Sequence, residues 1–213
     1  MSSFKNSNLA QAWLVLVLAT VFGTALAGIQ SKLSPVIEAN KVRETMEKIP
    51  GLVPGNADSD NLVVTSRVID IKKNGTQKFY TVYDVALKDG SPAGHVAKAA
   101  GQGYADKIEV LIGLDAGGDT ITGLFVLDQK ETPGLGNKII EKPWRDQFVN
   151  KASAGQLVVV KGGAGGGYEI DAISGATISS RSVAGIVNTT IADIKPRLVL
   201  PGKKENNKTE ETQ

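Results

Sequence analysis

The residues best placed to do chemistry lie near the C-terminal end, in Asp171-Ala172-Ile173-Ser174-Gly175-Ala176-Thr177. An apolar strand and a glycine-rich run precede them, and a strongly amphipathic helix pattern follows. A Ser-Gly-Ala-Thr turn that opens a helix suits an anionic group. Gly175 and Ala176 leave room for close backbone approach, and the N–H groups of a first helical turn have no intrahelical partner. Ser174 and Thr177 add two hydroxyls. A phosphate is the natural occupant. A second stretch, Lys130-Glu131-Thr132-Pro133-Gly134-Leu135-Gly136, is a sharply shaped loop at a strand end. Pro133 drives Thr132 out of the α region, and the two glycines free the backbone. Loops of this kind on a rigid scaffold often carry binding function.

The first stretch resembles the flavinylation motif Asp-x-x-(Ser/Thr)-Gly-Ala-(Ser/Thr) of FMN-binding domains in the Rnf and Na+-translocating NADH:quinone reductase (Nqr) complexes. Asp171, Ser174, Gly175, Ala176 and Thr177 match every defined position. Glu-Thr-Pro-Gly-Leu-Gly, residues 131–136, is similar to the second signature of those proteins, where the loop lies against the flavin. The resemblance implies FMN joined to Thr177 through a phosphoester bond, with Asp171, Ser174, Gly175, Ala176, Glu131, Thr132, Leu135 and Gly136 as cofactor-binding residues. It adds Lys138 as a residue able to reach the phosphate or the N1–C2=O edge of the ring. It also implies that the other subunits of the complex, including multi-span membrane subunits, are partners, and that a separate Mg2+-dependent flavin transferase attaches the group from FAD. A threonine hydroxyl is too weak an acid to attack a phosphoanhydride unaided, and no evident base stands beside Thr177. Thr177 is therefore read as a substrate position for that transferase, and no residue of the chain is assigned a catalytic role. The protein would be redox-active within a translocase and not an enzyme alone.

Composition agrees with an organic cofactor. The chain has 213 residues, no cysteine and a single histidine, His95. Disulfides, iron–sulfur clusters, thiolate zinc and c-type haem are thereby excluded, and no metal site is expected. A net charge of +2 and the lack of a basic patch with interleaved aromatics exclude nucleic acid as a partner.

The elements that must position these residues follow in chain order. No residue from Asn6 to Ser31 is charged, and Ala10–Ile29 is long enough at helical rise to cover a ~30 Å hydrocarbon core. Ala25-Leu26-Ala27 also fits a signal-peptide cleavage site, but the segment before the apolar run carries only Lys5, which favours a retained anchor. Ser34-Pro35 predicts the start of a second helix, ended by Pro50-Gly51. Strands are predicted at Leu62–Ile71, at Phe79–Leu87 (with Phe79, Thr81, Tyr83, Val85 and Leu87 on one face), at Lys107–Leu114 and at Thr120–Leu127. Lys73-Asn74-Gly75 and Asp115–Asp119 are predicted turns. Ala100–Tyr104 is read as a loop whose tyrosine plugs the core. A helix from Lys142 to about Asn150 packs Trp144 and Phe148, a buried strand covers Leu157–Val160, and Gly162–Gly167 reads as a flexible hairpin tip. After Thr177, Ile178, Val183, Ile186, Val187, Ile191 and Ile194 recur at helical spacing up to Pro196.

The expected fold is α+β: a single N-terminal transmembrane helix followed by an FMN-binding domain with a twisted antiparallel sheet and flanking helices. The expected organisation is a cytoplasmic tail over 1–9, the span over 10–30, a helical linker over 31–60, the FMN-binding domain over 61–200 and a disordered tail over 201–213. The resemblance places the chain in a bacterial or archaeal cytoplasmic membrane, single-pass, with its domain facing the periplasm or cell exterior. Chain length favours the G subunit of Rnf over the C subunit of Nqr. One alternative is another respiratory reductase that shares the domain; a non-redox alternative is an anchored exterior binding module whose Ser-Gly-Ala-Thr turn only caps a helix.

Overall fold

The structure, a computed structural model, describes residues 8–54, 61–73 and 75–198, with residues 8 and 9 described by their backbone alone. The turn residue Asn74, residues 1–7 of the tail expected over 1–9, and the tail expected over 201–213 lie outside the described residues. The chain divides into two compact units, Met1–Met46 and Glu47–Gln213.

The N-terminal unit is built on α1, which runs unbroken as Asn8–Lys48. It is long and apolar enough to cross a membrane, with a mean hydropathy of 2.2 in its most apolar window. The break expected at Ser34 does not occur, because Pro35 lies inside the helix. Proline deprives the Ser31 carbonyl of its N–H partner, a cost that an exposed helix can carry when water replaces the bond. The Ser34 hydroxyl meanwhile donates to the Gln30 carbonyl at 2.8 Å.

The second unit is a five-stranded antiparallel meander in the order β1-β2-β3-β4-β5. Its strands are Leu62–Lys73, Thr76–Leu87, Pro92–Gln102, Lys107–Leu114 and Ile121–Asp128. Gly75 has φ +77 and Gly118 φ +70, as their tight turns require. After the sheet come a 3-10 turn over Gly136–Ile140, the short α2 (Lys142–Arg145) and a further 3-10 turn to Phe148. The helix expected to reach Asn150 is therefore shorter, but Trp144 and Phe148 do pack edge to face, with ring centroids 5.2 Å apart. Then follow β6 (Val158–Val160), β7 (Glu169–Asp171) and α3 (Thr177–Ile194).

Strand β3 is the longest element that sequence reasoning missed. Pro-Ala-Gly-His-Val-Ala-Lys-Ala-Ala-Gly-Gln lacks the β-branched pattern of a strand. Its small residues have a packing reason. Ala97, Ala99 and Gly101 share the face on which α3 lies, and a Cβ at Gly101 would overlap the Ile186 side chain. Each central strand is buried on both faces. A cross-strand row of Val82, Ala97, Ile112 and Leu124 packs against the α3 side. The opposite face carries Tyr83, Val85, Val96 and Leu111, covered by Ile49, Leu52 and Val53. That covering segment precedes residue 61, so part of the expected linker belongs to the folded domain. Gly113 and Gly123, paired across β4 and β5, leave the flat space into which Leu52 fits. Phe79 shares its strand face with Tyr83 but stands beyond this cover and is 64% exposed.

Helix α3 is also tied to the sheet by polar contacts. The buried Tyr80 hydroxyl donates to Asp193 Oδ2 at 2.8 Å, and Lys73 Nζ reaches Asp193 Oδ1 at 3.4 Å. Burial first, and then the Asp193 carboxylate, push the Tyr80 phenol well above its usual pKa.

Gly113→Ala places a Cβ onto the Leu52 carbonyl oxygen and should cost about 1–3 kcal/mol, read as a lower unfolding midpoint of the detergent-solubilised chain. Gly185→Ala, on open space in α3, should leave the midpoint unchanged or raise it. Tyr80→Phe should cost about 1.5–3 kcal/mol at pH 7. Because the folded pKa of Tyr80 is raised, its contribution is complete below about pH 10 and is lost as pH rises through the folded value. Denaturant unfolding at pH 7 and pH 11 should therefore show a smaller alkaline loss in Tyr80→Phe than in the wild type.

Candidate functional site

Strands β6 and β7 run parallel, with Val159 opposite Ile170 and Val160 opposite Asp171. The glycine run between them is therefore not a hairpin tip but a crossover. Nor is it left loose. Glu169 Oε2 accepts from the Gly165 and Gly166 N–H groups at 3.0 and 2.9 Å, and Asp171 Oδ1 accepts from Ala164 N–H at 3.0 Å. The two glycine N–H groups hold the Glu169 carboxyl below the usual carboxylate range. The strand expected over Leu157–Val160 is shorter, and Val158 is 53% exposed. Asp171 is fixed through its backbone, which accepts from Trp144 Nε1 at 2.9 Å and donates to Gln147 Oε1 at 2.7 Å.

Beyond β7 the chain makes a type II turn over Ile173–Ala176. Ala176 N–H donates to the Ile173 carbonyl at 2.9 Å, and Gly175 supplies the required φ of +78. The Ser180 hydroxyl ties this turn to α3, accepting from Ile173 N–H at 3.1 Å and donating to the Ala176 carbonyl at 3.0 Å. Ala176 occupies the N-cap and offers no side-chain cap. The first intrahelical bond runs from Ser180 N–H to the Ala176 carbonyl at 3.1 Å. The N–H groups of Thr177, Ile178 and Ser179 have no hydrogen-bond partner among the described residues. Such a helix start is a ready anion site.

The loop 130–136 faces this turn. The Thr132 carbonyl accepts from Leu135 and Asn137 N–H groups, each at 3.2 Å, and Gly134 has φ +76. A Cβ on Gly175 would come within 3.0 Å of Leu135 Cδ2, so the loop and the turn nearly touch. The buried Glu131 side chain joins the parts. Its Oε2 accepts from the Ser179 hydroxyl at 2.5 Å, and its Oε1 accepts from Ala105 N–H at 3.1 Å. Gly103 and Gly136 lack side chains where this carboxyl group sits, and a Cβ on Gly136 would come within 2.8 Å of Oε2.

These segments enclose a cleft of about 990 Å3. Of the residues singled out in the sequence, Ser174, Gly175, Ala176 and Thr177 line it from the helix side, and Thr132, Leu135 and Gly136 from the loop side. Asp171, Glu131 and Lys138 do not line it. Asp171 shapes the glycine crossover, Glu131 lies beneath the lining, and Lys138 is exposed on the 3-10 turn. Sequence reasoning missed Tyr104, Lys161, Ile173, Ile178 and Ser179, which also line the cleft. Tyr104 does not plug the core: it is 63% exposed at the cleft rim, and Ala100–Gln102 belong to β3. Ile178 broke the buried pattern of α3 and is 55% exposed. Lys161 carried no local signal, since its place depends on the parallel pairing of β6 and β7.

The cleft thus offers anion-binding N–H groups at its floor and apolar surfaces on Leu135, Ile178 and Tyr104. A ligand with a phosphate and a flat aromatic body fits this donor set. Residues 103–192, which contain both walls, match the family model of the FMN-binding domain. Over 183 residues the chain is 33% identical to the G subunit of the Na+-translocating ferredoxin:NAD+ oxidoreductase complex of Acetobacterium woodii, covering 84% of this chain and 87% of that protein. The chain belongs to the G-subunit family of ion-translocating oxidoreductase complexes. It is also 36% identical over 90 residues to the C subunit of the Na+-translocating NADH-quinone reductase of Vibrio alginolyticus, covering 39% of this chain and 35% of that one. The fold matches the crystal structure of the corresponding C subunit from Parabacteroides distasonis, with a TM-score of 0.58 and 21% identity, covering 81% of this chain and 98% of that chain. The α+β architecture expected from the sequence is thereby shown.

Within this family member, Gly175→Ala should cost about 1–2 kcal/mol, because a side chain is strained at φ +78. Ser174→Ala, at an exposed turn position, should stay within about 0.5 kcal/mol of wild type. Unfolding midpoints of the two variants check both.

Proposed function

We propose that the chain is a membrane-anchored electron-transfer component of an ion-translocating oxidoreductase, holding FMN in the 990 Å3 cleft through a phosphoester bond to Thr177. The observation that carries this reading is the position of Thr177. It is the first residue of α3 and lines the cleft, and its own N–H and those of Ile178 and Ser179 have no hydrogen-bond partner among the described residues. FMN bound there supplies reversible acceptance and release of electrons.

The chain's own residues then have distinct tasks. The Thr177 hydroxyl oxygen forms the bond to phosphorus during maturation, displacing AMP from FAD under the action of a flavin transferase. Among the residues lining the cleft no carboxylate or imidazole is present to accept the hydroxyl proton, which agrees with an external catalyst. The N–H groups of Thr177, Ile178 and Ser179 offset the charge of the resulting phosphodiester. Leu135, Ile178 and Tyr104 cover apolar surface of the ring and exclude water. Thr132 and Gly136 shape the opposite wall.

Helix α1 anchors the protein as a single span in the cytoplasmic membrane, with the folded domain on the periplasmic or outer side. A covalent tether suits that side, where a lost cofactor would be diluted away. The partners are the other subunits of the complex, including multi-span membrane subunits, and the flavin transferase. Coverage favours the ferredoxin:NAD+ complex over the NADH:quinone reductase, since the match to the G subunit spans 87% of that protein and the match to the C subunit only 35%.

Co-expression with an active flavin transferase, followed by intact-mass measurement, tests the reading. The wild type should gain one FMN phosphoryl group, mapped to the Thr177 peptide. Thr177→Ser should keep covalent flavin, and Thr177→Ala should lose essentially all gel-stable flavin fluorescence while keeping the unfolding midpoint of the wild type expressed without the transferase. A Thr177→Ala variant that remains fluorescent would sink the assignment. An unmodified wild type would leave the Ser-Gly-Ala-Thr turn as a helix start on a binding module.

A further inference from the structure

Two charged side chains stand at the cleft, one in its lining and one beneath it, and nothing in the attachment chemistry uses either. Lys161 is the one cationic residue in the lining. It directly follows β6, is exposed, and has no ion-pair partner among the described residues. Glu131 is 4% exposed and lies one side-chain layer below the lining, bonded to Ser179 and packed under Gly136. Its two oxygens accept from the Ser179 hydroxyl and the Ala105 N–H. No cation is paired with it among the described residues.

We propose that Glu131 and Lys161 are charge-setting residues of opposite sign for the flavin in this cleft: Glu131 lowers its reduction potential and Lys161 raises it. This rests on the cofactor reading given above. Uptake of two electrons and one proton leaves the flavin ring one charge unit more negative than the oxidised ring. A carboxylate beneath the lining, both of whose oxygens accept hydrogen bonds, opposes that change, and a positive charge in the lining favours it. The two effects differ in strength for a physical reason. Glu131 is shielded from water and ions, whereas Lys161 is exposed and screened. The Glu131 effect should therefore be larger and persist in salt, and the Lys161 effect should shrink as salt is added.

A structural role alone makes a different forecast. Loosening the cleft from either side would move the flavin toward its behaviour in water, so both variants would shift in the same direction. Opposite signs distinguish charge from looseness.

The test uses the full-length flavinylated protein in detergent, equilibrated at pH 7.5 with redox dyes of known potential and read by flavin absorbance. Glu131→Gln should raise the reduced-to-oxidised ratio at fixed dye potential by about tenfold, which for a two-electron couple is about 30 mV. Lys161→Met should lower the ratio by a smaller factor, and 0.5 M salt (about 4 Å Debye length) should largely abolish its difference from wild type while leaving that of Glu131→Gln. Shifts of the same sign, or no shift in either variant, overturn the proposal and leave the Thr177 reading standing. A wild type that takes up no flavin overturns both. Lys161 is exposed, so its replacement does not endanger the fold. Should Glu131→Gln fail to fold, an unshifted Lys161→Met protein would by itself overturn the proposal.

Discussion

Everything at the cleft depends on α3 lying flat against the middle of the sheet. That contact is possible because β3 presents Ala97, Ala99 and Gly101 to the helix, so that Ile186 can descend to the backbone. Larger residues would lift α3 and move its first turn. Tyr80 and Asp193 fasten the far end, while Val183, Val187 and Ile191 supply the buried stripe. The N-terminus of α3 is then fixed by packing and needs no side-chain cap, which leaves its first N–H groups unused.

The opposite wall is set by a single buried acid. Glu131 touches the loop after β3 through Ala105, the first turn of α3 through Ser179, and its own loop through Gly136. Three segments distant in sequence are thereby held around one space. The glycine crossover completes the enclosure, and it too is shaped by acids, Glu169 and Asp171, which accept from its backbone. The binding cleft is thus preorganised largely by hydrogen bonds made behind its surface, an arrangement that keeps the lining itself apolar or uncharged except at Lys161.

The unbroken α1 reflects a different balance. Propensity at Ser34-Pro35 argues for a new helix start, yet a helix already formed by the apolar run continues through it. One missing backbone bond at an exposed site is a local loss, whereas each further residue adds its own bond.

By itself the sequence determined the long apolar N-terminal helix, the antiparallel strands rich in β-branched residues, the final amphipathic helix, and the glycine and proline turns of the Asp171–Thr177 and 131–136 segments. Those features are local: hydropathy over twenty residues, alternation along a strand, and glycine or proline at a turn. Strand β3 stayed hidden because its small residues answer to α3, some eighty positions away, and not to strand propensity. The parallel pairing of β6 and β7, the rim position of Tyr104 and the place of Lys161 in the cleft were likewise decided by contacts between distant segments. The hydrogen-bond partners of Asp171 and Glu131 were decided in the same way. A motif shows that an acid is present, but only the packed structure determines where its oxygens turn, here to backbone N–H groups and a hydroxyl that hold the cleft in shape.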